Sequence, residues 1–159
     1  MAELTVNGTI SATNAMVERL QEISHLQDTC SRRKKHLRAV SVIHVLCRCL
    51  REAGGVSQLF VHEETDNIPQ TPCVLYSGES LEMAQDLHLH VEREQLFRVI
   101  DAEEGLASIF AAYWIFHAKY FKGLFNLLTF MEYHWYKTST LKPRPQVVKL
   151  LNKIRKANH

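Results

Sequence analysis

The sequence predicts a mostly helical α+β single domain carrying a small three-stranded antiparallel sheet. Three observations predict it: apolar residues recur at helical spacing in the first third, alternate with period two around residues 87–91, and return to helical spacing after residue 105. A chain of 159 residues is one domain's worth of sequence, long enough to bury a proper core. Its 46% hydrophobic and 23% charged residues exclude a disordered or low-complexity chain.

Residues 1–10 show no sustained period and read as a flexible N-terminal arm before a domain over 11–159. Ala15, Met16, Leu20, Ile23 and Leu26 then mark an amphipathic helix over about 12–27. A second helix over about 30–53 carries the stripe Leu37, Val40, Ile43, Leu46, Cys47 and Leu50. Gly54 and Gly55 supply its left-handed stop, and Arg48 and Arg51 suit the negative end of its dipole. Pro69 and Pro72 punctuate a loop. Strands follow at about 73–77, 87–92 and 96–100, with Leu87, Leu89 and Val91 on one face and His88 and His90 on the other, wet one.

Residues 106–136 are the most apolar stretch, but Lys119 and Lys122 stand in its middle. Each would cost about 2.5–3.5 kcal/mol at a bilayer centre, so the stretch reads as two core helices, over about 105–118 and 122–136, and not as a membrane span. After a linker at 138–142, Pro145 opens a last helix over about 145–157. Val147, Val148, Leu150, Leu151 and Ile154 are its apolar residues, and Lys149, Lys153, Arg155 and Lys156 lie opposite them.

Charge is segregated along the chain. Residues 1–55 carry eight Lys/Arg and five Asp/Glu (+3), residues 56–105 two and eleven (−9), and residues 106–159 nine and one (+8), which sum to the net +2. Such blocks steer partners, or pair with each other within or between chains. Four cysteines, irregularly spaced and without an apolar leader before them, predict reduced thiols in the cytoplasm or nucleus.

No combination of residues completes a reactive set. Cys47 and Cys49, two apart on a helix, point about 200° apart and cannot share an ion; His44 with Cys47, and His88 with His90, are better placed, but neither pair gains further ligands. Cys73 near His88 or His90 is the one candidate thiolate–imidazole pair. Phosphate-cradling loops, nucleophile elbows and zinc-protease motifs are absent from the sequence. The expectation is therefore a non-enzyme without metal or cofactor, acting as a protein-interaction or assembly module, with Trp135 and Tyr136 as anchors if they remain exposed. The second expectation is nucleic-acid binding through the run Arg32, Arg33, Lys34 and Lys35, together with Lys149, Lys153, Arg155 and Lys156.

From residue 73 onward the order of elements runs CVLYSG, then HLHVE, an apolar helix, the turn Tyr120-Phe121-Lys122, another apolar helix, and a closing Pro-x-Val-x-x-Leu-x-Asn-x-Ile from Pro145 to Ile154. Over about residues 32–155 this resembles the C-terminal domain of a poorly characterised, fish-expanded vertebrate protein family, some members of which carry a sterile alpha motif. The resemblance implies an α+β domain and a non-enzyme, transfers no catalytic residue and names no ligand. The family's turn reads Tyr-Pro-Lys where this chain has Phe121, a departure that softens the break and would let the two apolar helices fuse.

Overall fold

The computed structural model describes residues 2–137 and 141–159, with side chains described for 15–22 and from 29 onward. Helix α1 runs from Ala2 to Cys49. The expected arm over 1–10 and the expected break between residues 27 and 30 are thus replaced by one helix. No Gly or Pro occurs between Gly8 and Gly54, so nothing local interrupts the ladder. Contacts divide the chain into one unit of residues 1–35 and a second of residues 36–159. In the first unit Met16, Val17 and Leu20 are exposed, so the apolar stripe expected over 12–27 is not core at these positions.

In the second unit the α1 stripe His36, Val40, Ile43, Cys47 and Leu50 is buried, at the i, i+4, i+7 spacing of one helix face. The helix closes as a Schellman motif: Glu52 N–H donates to the Cys47 carbonyl and Arg51 N–H to that of Arg48, with Arg51 left-handed at φ 59°. Termination therefore falls before the expected Gly54–Gly55 pair, which instead forms a 3-10 turn, Ala53–Gly55, leading into the short helix α2, Val56–Leu59.

The sheet is a correction to the three antiparallel strands expected. It is four-stranded and mixed, in the order β1 (Phe60–His62), β2 (Cys73–Tyr76), β3 (Leu87–Val91) and β4 (Glu94–Val99). β1 pairs parallel to β2, whereas β2–β3 and β3–β4 are antiparallel. Three residues are too few to show a period, which is why β1 escapes a sequence reading. Glu92 and Arg93 both have positive φ and form the two-residue turn between β3 and β4. Leu87, Leu89 and Val91 face the main core, as expected. The opposite face is less wet than expected: Val61, Cys73 and Leu75 are buried there beneath Ile68 of the 63–72 loop.

Asp101 caps α3 (Ala102–Ile115) by accepting from Glu104 N–H at 2.8 Å, while Glu104 accepts from Ile100 N–H at 2.7 Å. Buried His36 joins α1 to the same terminus. Its Nδ1 accepts from Ala102 N–H at 3.0 Å, so its Nε2 carries the proton and donates to the Leu81 carbonyl at 2.8 Å. Gly105 lets α3 approach the sheet; a Cβ there would lie 3.1 Å from the Phe60 ring.

The helices after residue 102 do not fuse. α3 ends in a second Schellman closure, with Ala118 N–H donating to Tyr113 and left-handed His117 (φ 51°) donating to Trp114. A 3-10 turn, Lys122–Leu124, leads into α4, Phe125–Tyr136. Glu52 caps α4 from 74 residues away, its two carboxylate oxygens accepting from Asn126 and Leu127 N–H at 2.9 and 2.8 Å. Burial raises the Glu52 carboxyl above its usual range, while those two amides and nearby Arg144 pull the other way. α5 occupies Pro145–Ala157, the range expected, and docks through buried Val147.

Candidate functional site

At their C-terminal ends, α3 and α4 bring four aromatic rings together. Phe110 and Trp114 are four apart and so share a face of α3, while Trp135 and Tyr136 end α4. Phe110 meets Trp135 edge-on at 5.2 Å between centroids, stacks with Tyr136 at 6.1 Å and lies 6.3 Å from Trp114; Trp114 and Tyr136 are 6.2 Å apart. These separations suit favourable ring pairs, worth about 0.5–1.5 kcal/mol each beyond area burial. Only Phe110 is buried. Trp114 is 43% exposed, Trp135 47% and Tyr136 62%, and Ile115 beside them is 71% exposed.

Beside Trp114, a depression of about 300 Å³ is lined by Tyr113, His117, Ala118, Lys119, Tyr120 and Leu141. Tyr120 donates to Glu132 at 3.2 Å, and burial, then the Glu132 charge, raise its hydroxyl pKa well above the ordinary phenol value. Lys119 and Lys137, each within a few residues of these rings, are exposed and make this end basic, with His117 and His134 exposed as well.

The start of α3 has the opposite character. Asp86, Glu103 and Glu104 are exposed there, Asp86 in an ion pair with Arg98 at 2.9 Å, as are the apolar Met83, Phe97 and Ile100. All of β4 except Val99 is exposed, at the edge of the sheet.

The sequence-predicted site residues fall in three places. Arg32, Lys34 and Lys35 are exposed and Arg33 is half-buried, all within the 1–35 unit. Lys149, Lys153, Arg155 and Lys156 are exposed on α5, where Lys149 and Lys153 line a depression together with Arg51. Trp135 and Tyr136 join Phe110 and Trp114. Trp114, read from the sequence as a core or core-edge ring and an anchor if exposed, is exposed, whereas Phe110 was legible only as core because its partners Trp135 and Tyr136 lie more than 20 residues further along the chain.

The Cys73–His90 idea has its geometry but lacks the chemistry. The register sets Cys73 opposite His90, yet Cys73 is fully buried and burial pushes its thiol up to about 11, away from the thiolate a nucleophile requires. Burial also lowers the His90 pKa. Among the described residues no group of three or more His, Cys, Asp or Glu is placed to hold a metal ion, and no helix is long and apolar enough to cross a membrane. Comparison with protein-family models, with curated proteins and with solved structures returns no match for this chain.

Proposed function

We propose that this chain is a non-catalytic self-association module, in which the basic aromatic end of α3 and α4 on one copy meets the acidic start of α3 on another. One observation carries the reading: α3 has apolar side chains in water at both ends, in surroundings of opposite charge. From Ala102 to Ile115 a helix rises about 20 Å, at 1.5 Å per residue. The Debye length at physiological salt is about 8 Å, so charges at the two ends do not neutralise each other through solvent within one copy.

A second copy satisfies both ends, since Trp114, Trp135 and Tyr136 supply the anchors that dominate interfaces and the acidic rim of the other end complements theirs. A contact between two different surfaces is heterologous, so it builds rings or open chains in place of closed dimers.

Light scattering coupled to gel filtration tests this. The expected result is mass rising with concentration at low salt and falling towards the monomer as salt is raised. Trp135→Ala and the charge reversal Glu103→Lys should each reduce the mass, and mixing the two variants should not restore full chains. A monomer at every salt and concentration overturns the reading.

A further inference from the structure

We infer that Arg51, Lys149 and Lys153 form a binding site for a small ligand carrying two or more phosphoryl groups. This site is separate from the aromatic end of α3 and α4 and does not depend on the self-association reading.

The depression between the C-terminal end of α1 and helix α5 has a volume of about 300 Å³ and is lined by Cys49, Arg51, Pro145, Gln146, Lys149, Leu150 and Lys153. The lining holds three cations and, among the described residues, no carboxylate. Lys149 and Lys153 are four apart, hence on one face of α5 and about 6 Å apart along its axis. Like charges at this spacing repel, and an anion between them removes the repulsion. Arg51 faces them with a planar fork of donors suited to two phosphoryl oxygens. Pro145 and Gln146 belong to the first turn of α5, whose positive dipole end adds to the three cations, while the negative end of α1 at Cys49 acts against them, so the side chains carry the site.

The backbone of Arg51 supplies the variant that tests its side chain. Its φ of 59° lies in the left-handed region, where glycine is at ease and a residue with a Cβ is strained. Stability alone would favour glycine at this helix end, as it does at such positions generally. The combined +3 charge and the two-lysine row select an oligophosphate over a single phosphate, either free or as a lipid headgroup.

Cys49 is exposed and lies in the lining, while Cys30 is exposed in the other unit, so the chain carries its own reporter and control. The experiment follows alkylation of both thiols in the full chain by mass spectrometry, with inorganic pyrophosphate and, separately, with phosphatidylcholine vesicles with or without phosphatidylinositol bisphosphate. At a ligand concentration ten times the dissociation constant, Cys49 alkylation should slow about tenfold and Cys30 alkylation should not change. Protection by pyrophosphate indicates a free ligand, and protection by the bisphosphate vesicles alone indicates a headgroup; either supports the site.

Arg51→Gly should weaken protection about ten- to a hundredfold while melting higher than the wild type, which separates lost binding from lost folding. Lys149→Gln with Lys153→Gln, both on the exposed face, should weaken it similarly. No protection of Cys49 by either probe overturns the site. Equal protection in the variants does the same, as does protection by a duplex oligonucleotide alone.

Discussion

Two buried thiols show how position sets the chemistry of a side chain. Cys47 and Cys73 are both fully buried. Burial, helped at Cys47 by the nearby Glu52 charge, pushes their thiols up to about 12 and about 11. Unfolded, each ionises near pH 8.5. The folded state therefore holds its thiol protons where the unfolded state releases them. The sign follows: this contribution is complete below about pH 8.5 and is lost as pH rises towards 11 and 12, at up to about 1.4 kcal/mol per pH unit for each group. Urea unfolding at pH 7.5 and 9.5 should show the wild type losing more stability than the double variant Cys47→Ala, Cys73→Ala. Parallel losses would contradict it. His36 makes the same point through hydrogen bonding, since its two ring nitrogens serve partners 45 and 66 residues away that no local pattern reveals.

The helices end in a shared way. α1, α3 and α4 close on Arg51, His117 and Lys137, with φ of 59°, 51° and 60°. All three side chains suit the negative end of a helix dipole, yet all three carry a Cβ in the left-handed region. Replacing His117 or Lys137 by glycine should stabilise the fold by about 0.5–1 kcal/mol, seen as a rise of a few degrees in melting temperature. A fall would show that the side chain's contacts outweigh its backbone strain. The range of α5, about 145–157, was legible because proline suits a first helical turn, whereas the α1 stop was expected at the glycines, three residues too late. A left-handed arginine leaves no mark in composition.

For the molecule as a whole, the main core begins at Val40 and draws on α1, the sheet, α3, α4 and α5, and the 36–159 unit contains all of it. A fragment of residues 30–159, which keeps a turn of helix ahead of His36, should fold cooperatively and melt within a few degrees of the full chain by circular dichroism. A fragment lacking a sharp transition would show that the first unit takes part in core stability.

Periodicity and charge, both properties of neighbouring residues, were enough to determine the α+β class, the β2–β3–β4 ladder, the inward face of β3, the last helix and the opposition of acidic and basic segments. Tertiary structure alone decided that β1 adds a parallel strand, that Trp114, Trp135 and Tyr136 stay in water around a buried Phe110, and that Arg51 lines one depression with Lys149 and Lys153. Each of these depends on groups far apart in sequence, and burial is settled by what packs on a face, which a one-dimensional pattern does not contain.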